Sequence, residues 1–188
     1  RTKSQVREWV ESIVIAVILA LIIRAFIVQA FKIPSGSMIP TFKVGDRLFV
    51  NKFIYGAKIP FTDLRLPALR EPRRGDIVVF ISPEDRKKDF IKRLIATGPE
   101  TVEIRDRRIY IDGKAVDEPS IRAIDYYNAG EYGDEGRMVR VPEGSYYVLG
   151  DNSASSRDSR YWGFVPKKNL LGKAIFIFWP LNRIRIVK

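Results

Sequence analysis

Ile33-Pro34-Ser35-Gly36-Ser37-Met38-Ile39-Pro40-Thr41-Phe42 divides the chain into two kinds of sequence. A long apolar stretch precedes it, and short β-type runs follow. Each proline fixes its own φ and pushes its predecessor toward extended geometry, so Ile33 and Ile39 are expected outside any helix. Gly36 permits a sharp bend between the two serines. The segment therefore reads as a rigid elbow that presents one hydroxyl at a fixed place. On these ten residues alone, the simpler reading is a Pro/Ser/Gly connector between two parts of the chain.

Upstream of the elbow, Arg1 to Glu11 is charged, and Ser12 to Ile23 reads SIVIAVILALII with no charge. Arg24 interrupts before the apolar Ala25 to Phe31. A membrane span needs about 20 apolar residues. Trp9 and Val10 at one end and a snorkelling Arg24 at the other extend the run to a single pass. A cleaved signal peptide and a buried helix are the alternatives. The first wants a small-x-small site, where this chain has Arg24 and bulky residues. Arg1, Lys3 and Arg7 precede the run, which places the N-terminus in the cytoplasm and the remainder outside. The expected division is a cytoplasmic stub and transmembrane anchor over residues 1–24, then an extracytoplasmic domain over residues 25–188.

Downstream, Arg47–Val50, Asp76–Ile81, Phe90–Ile95, Thr101–Arg105 and Arg108–Ile111 read as short strands between Gly, Pro, Asp and Asn clusters. Met138–Val141, Ser145–Leu149, Lys173–Trp179 and Arg183–Val187 continue the pattern. Glu118 to Arg137 is polar and glycine-rich, which predicts a surface loop or hairpin insertion. The fold class is mostly β, with one helical anchor in front.

Composition narrows the chemistry. The 188 residues include no cysteine and no histidine. That excludes disulfides, thiol catalysis, a Ser-His-Asp triad and a zinc site of the usual ligands. A net charge of +11 calls for an anionic partner. The basic residues are scattered and form no recognised nucleic-acid motif, so the expectation is membrane lipid and no nucleic acid.

A serine nucleophile without histidine needs a lysine or a carboxylate as its base. In Asp89-Phe90-Ile91-Lys92-Arg93-Leu94-Ile95, strand alternation puts Phe90, Lys92 and Leu94 on one face. Burial among such neighbours lowers a lysine pKa by up to about 3–5 units from roughly 10.4. An edge-strand lysine that blocks aberrant pairing is the competing explanation. A second constellation runs from Gly150-Asp151-Asn152 through Ser156-Arg157-Asp158-Ser159-Arg160 to Tyr161-Trp162-Gly163-Phe164-Val165-Pro166. Asp158 and Arg160 can pair there and fix the loop. A calcium loop built on Asp151, Asn152 and Asp158 is the alternative, against which the spacing and the adjacent arginines argue. No metal and no cofactor is expected.

These pieces, in this order, resemble bacterial type I signal peptidase, a membrane-bound serine protease that removes signal peptides from exported proteins. The resemblance rests on the apolar N-terminal run, Pro34 to Thr41, Arg74-Gly75-Asp76-Ile77-Val78-Val79-Phe80, Lys92-Arg93, and Gly150 through Pro166. It implies a coiled β-sheet catalytic domain with a small β insertion, a reduced accessory subdomain over about residues 101–145. It also implies Ser37 as nucleophile, Lys92 as general base, Ser35 as a hydroxyl donor to the oxyanion and Ser156 as the group orienting the lysine. Asp158 and Arg160 become a supporting ion pair. The implied substrates are preprotein signal peptides with small residues at the first and third positions before the cut. Ile33, Pro34, Met38, Phe90 and Ile91 are the candidate lining of those pockets. The implied location is the bacterial cytoplasmic membrane. Two departures are local: Gly98-Pro99 inverts the family's usual Pro-Gly turn, and Ser153 stands where Arg is usual. A specialised Ser-Lys processing peptidase and a non-catalytic membrane-anchored binding domain fit the same residues.

Overall fold

A computed structural model of the chain describes residues 5–59, 62 and 64–187. Helix α1 spans Gln5–Ile22 and none of its side chains is buried. A single π-turn, Ile23–Ile27, ends it, and the chain then turns into strand β1, Val28–Lys32. No helix among the described residues is long and apolar enough to cross a membrane. Two features distinguish α1 from the uninterrupted apolar span expected. Arg7, Glu8 and Glu11 occupy its first turns, where Arg7 also donates to Glu11 at 3.0 Å. Its uncharged part, Ser12 to Ile22, spans only about 17 Å at the α-helical rise. The apolar residues after Arg24 do not lengthen it, because Val28–Lys32 pairs antiparallel with β2, Arg47–Asn51. Arg1 and Lys3, which carried part of the orientation argument, lie outside the described residues.

The main sheet is curled around strand β3, Ile77–Ile81, which lies between β11, Leu170–Trp179, and β4, Asp89–Thr97. Outward from β11 come β2 and then β1; outward from β4 come β9, Ser145–Leu149, and β10, Val165–Pro166. The short β12, Arg185–Ile186, pairs with β11 on the edge opposite β2, beyond the end of β3. β3 is apolar at every position, as a strand covered on both faces should be. Ile77 and Val79 join Ile33, Met38, Phe42, Leu48 and Val50 on one face; Val78 and Phe80 join Tyr55, Leu94 and Val148 on the other.

A second sheet holds β5, Thr101–Arg105, between β6, Arg108–Ile111, and β8, Val139–Arg140, with β7, Lys114–Ala115, outside β6. The turn from β4 into β5 carries the inverted Gly98-Pro99 pair. It is closed by Glu100, whose carboxylate accepts the Thr97 N–H at 2.7 Å while its own N–H donates to the Thr97 carbonyl at 2.9 Å. The segment from Glu118 to Arg137 is mostly exposed and irregular, as expected of a surface loop, but it is anchored. It contains the short helix α2, Pro119–Arg122, and sends Ile121 and Tyr126 into a core shared by β4, β9 and the second sheet. Its composition hides these anchors because they are single apolar side chains scattered among polar and glycine positions.

Candidate active site

The elbow is fixed from both ends. Ile33 N–H donates to the Asp46 carbonyl, and Gly45 N–H returns a bond to Ile33. Ser35 is extended, Gly36–Met38 makes one 3₁₀ turn, and Ile39 is extended again. With three residues per turn, neighbouring side chains point about 120° apart. Met38 therefore goes into the core beside Phe42, and Ser37 faces a cleft.

Lys92 approaches that hydroxyl from β4. Its Nζ donates to Ser37 Oγ at 2.6 Å, and the side chain is only 4% exposed. The alternation read from sequence holds: Nζ lies 6.0 Å from the Phe90 ring centroid, on the face that continues to buried Leu94. Burial pushes the Lys92 amine down to about 8, while the Asp158 and Asp151 carboxylates pull partly the other way and Arg160 lowers it again. Arg93 points to the opposite side. Its Nε and Nη2 bond Asp151 at 2.8 and 2.6 Å, and Thr41 Oγ1 donates to the same carboxylate. That buried pair ties the lysine strand to the elbow and to the loop after β9.

The loop is organised by Arg160 and Asp158, both fully enclosed. Arg160 Nε and Nη2 each donate to the carboxylate at 2.8 Å. The same carboxylate accepts Gly150 N–H at 3.0 Å, at the end of β9. Arg160 also bonds the Tyr127 carbonyl at 2.7 Å and the Ser153 hydroxyl at 2.8 Å. The Ser153 hydroxyl in turn accepts Tyr127 N–H at 2.8 Å. The departure at Ser153 thus helps Arg160 to fasten the 118–137 segment over the loop. Helix α3, Ser159–Trp162, begins at Asp158, whose side chain caps the Arg160 N–H.

A Cβ at Gly150 would overlap the Ser156 hydroxyl and lie 2.5 Å from the Ser37 carbonyl. Gly150→Ala is therefore expected to displace the Ser37 peptide, and with it the candidate hydroxyl. Overpacking of this kind costs about 1–3 kcal/mol, and a misplacement near 1 Å costs roughly 10²-fold in rate. Urea unfolding and a cleavage assay on one preparation check both.

The whole arrangement lies within a match to the family model described as signal peptidase, peptidase S26, over residues 6–179. A probable signal peptidase I-2 of Synechocystis sp. is 42% identical over 95% of this chain and 77% of its own length. A signal peptidase I of Leptolyngbya laminosa is 39% identical, covering 98% of this chain and 85% of its own. One from Bacillus licheniformis is 38% identical, over 97% and 94% respectively. This chain belongs to the signal peptidase S26 family.

As an S26 serine peptidase, the chain brings most of the expected residues to one place. Pro34, Ser35, Ser37, Phe90, Ile91 and Lys92 line a cleft of about 510 Å³. Ser35 Oγ lies 3.5 Å from Ser37 Oγ. Ile33 lies behind this cleft, with Val79, at a small side cavity of about 30 Å³ shared with Pro34, Phe90 and Ile91. Two expectations change. Met38 lines neither space, because the 3₁₀ turn drives it into the core. Ser156 is buried nearby, but among the described residues its hydroxyl has no hydrogen-bond partner, so it makes no bond to the Lys92 amine. Sequence reasoning missed Gly150, Asp151 and Thr41 as parts of the support. Only Asp151 carried a signal, as a carboxylate in a loop rich in arginine.

Proposed function

We propose that this S26 family member is a membrane-bound endopeptidase that removes N-terminal signal peptides from exported preproteins with a Ser37–Lys92 dyad. The observation that carries the proposal is the 2.6 Å contact between a desolvated amine and a serine hydroxyl in an open cleft. Neutral Lys92 takes the Ser37 proton as Oγ attacks the scissile carbonyl. The Ser37 N–H and the Ser35 hydroxyl hold the resulting oxyanion. Lys92, now an ammonium, gives its proton to the departing amine, and the C–N bond breaks. Water, deprotonated by the again-neutral Lys92 amine, then attacks the acyl ester; the C–O bond to Ser37 breaks, Lys92 returns the proton to Oγ, and the acid product leaves.

Two features support an extended substrate with small side chains. Asp89 to Ile91 of β4 pair only with β3, because β9 begins its register at Arg93. Their other backbone edge faces the cleft and can accept a peptide as an added strand. The side cavity of about 30 Å³ has room for a methyl-sized group at most.

The membrane part of the proposal rests on α1. Its large apolar residues from Ile13 to Ile22 are all at least 46% exposed, with no protein surface against them. A helix apolar all round wants lipid rather than water. Seated in the bacterial cytoplasmic membrane with Arg7 on the cytoplasmic side, it would hold residues 25–188 outside, where cleavage sites emerge.

The test is a model preprotein cleaved by wild type and by Ser37→Ala across pH. Wild-type kcat/KM should rise with pH through about 8 and level off above it, since only the neutral amine acts as base. Ser37→Ala should be inactive. Retained cleavage by the alanine variant, or a rise that begins only near pH 10, would count against the dyad.

A further inference from the structure

We infer that Asn152 is a positioning residue for the oxyanion site, aiming the Ser37 N–H by gripping the other end of the same peptide unit. This rests on the reading of Ser37 as nucleophile. Asn152 makes two bonds to the elbow across a long stretch of sequence. Its side-chain Nδ2 donates to the Gly36 carbonyl at 3.0 Å, and its backbone N–H donates to the Ser37 carbonyl at 3.0 Å.

The Gly36 carbonyl and the Ser37 N–H belong to one planar trans peptide and point in opposite directions. Fixing the oxygen therefore fixes the direction of the N–H. Within the elbow, Ile39 N–H also reaches the Gly36 carbonyl, at 3.1 Å, as the ordinary bond of the turn. Asn152 adds a restraint from outside the turn. A bond accepted at the carbonyl also polarises the peptide and strengthens its N–H as a donor. The second bond, to the Ser37 carbonyl, anchors the next peptide plane, so the residue bearing the nucleophile is held on both sides.

Asn152 is itself held. Its carbonyl accepts Ser155 N–H at 3.0 Å, and its neighbour Asp151 is locked to Arg93. No other side chain type of this length offers an N–H₂ to a carbonyl without adding charge. The loop after β9 thereby supplies donor geometry to the elbow as well as charge to the lysine's surroundings. The donor is aligned before substrate arrives, which is what an oxyanion site requires.

The experiment uses the full chain with Asn152→Leu, nearly isosteric, and Asn152→Ala. Both keep the backbone bond and lose the side-chain one, and an unfolding scan shows whether each is folded. Three quantities are read: kcat and KM on a preprotein, affinity for a peptide aldehyde that adds to Ser37, and affinity for the same peptide ending in an unreactive amide. The expected result is a kcat about 10–10² times lower, with KM and amide affinity unchanged within twofold. Aldehyde affinity should fall by the same factor as kcat, and the rise in rate near pH 8 should stay in place. A kcat within twofold of wild type overturns the inference. So does an equal loss of aldehyde and amide affinity, which would mean a loosened cleft, or a shifted pH profile, which would mean action through Lys92. Ser37→Ala separates the layers. If it turns over substrate, the nucleophile reading itself falls; if it is dead beside a fully active Asn152→Leu, only the role of Asn152 falls.

Discussion

Lys92→Met is expected to cleave a preprotein about 10²–10⁴ times more slowly than wild type while unfolding no more easily at pH 7. The rate loss follows from removing the group that, among the described residues, lies within hydrogen-bond reach of Ser37 Oγ and can take its proton. The stability half follows from linkage. In the folded protein burial pushes the amine from 10.5 down to about 8, so at pH 7 the fold holds an ammonium away from water. At roughly 1.36 kcal/mol per pKa unit that costs about 3 kcal/mol, a cost methionine does not carry. The sign with pH is definite. Between about 8 and 10.5 the unfolded chain binds more protons at this site than the folded one, so wild-type stability rises with pH. Lys92→Met has no such rise. Its advantage should be full below pH 8 and shrink toward pH 10.5, as urea unfolding at pH 7 and pH 10 would show. A variant that is both inactive and unfolded at pH 7 would mean that Lys92 is a structural residue.

How much of this was legible in the sequence depends on what each residue answers to. The strands were readable because β-branched and aromatic runs sit between Gly, Pro and Asp clusters, a local signal that needs no tertiary partner. Lys92 was readable because period-two alternation gives its neighbours at once. The choice of Ser37 over Ser35 came from the family resemblance, and so did the role of Ser156. β1 was hidden because Val28-Gln29-Ala30-Phe31 continues the apolar composition of α1. What makes it a strand is the complementary edge of β2, about twenty residues away. Met38 was misplaced because one 3₁₀ turn, not its composition, decides which side of the elbow faces the cleft. The 118–137 segment is largely solvated, as its composition says; what the composition hid is that Ile121 and Tyr126 anchor it and that its backbone packs on Arg160. Gly133 sits where a Cβ would meet the Arg160 side chain at 2.5 Å. Asn152 was legible as a member of the Gly150-Asp151-Asn152 run, but its bond to the elbow was not, since a carbonyl partner leaves no trace in a sequence.

Asp158→Asn and Arg160→Met should both destabilise the protein, yet move the pH dependence of cleavage in opposite directions. Both side chains are almost wholly enclosed. Breaking a buried pair leaves an uncompensated charge and costs about 3–5 kcal/mol. In a chain of this size that lowers the unfolding temperature by roughly 6–20 °C. Arg160→Met also orphans the Tyr127, Ser153 and Ser156 carbonyls, so Arg160→Lys, without a planar fork, should recover only part of the loss. The electrostatic consequence for Lys92 differs in sign. The Asp158 carboxylate favours the ammonium and the Arg160 guanidinium opposes it. Asp158→Asn should therefore shift the rise in kcat/KM to lower pH, and Arg160→Met should shift it to higher pH. Loss of support alone cannot produce that divergence, because a loosened loop admits water in both variants and would drive the amine upward in both. Opposite shifts would show that the pair sets the charge state of the base as well as the shape of the loop. Parallel shifts would reduce it to a scaffold.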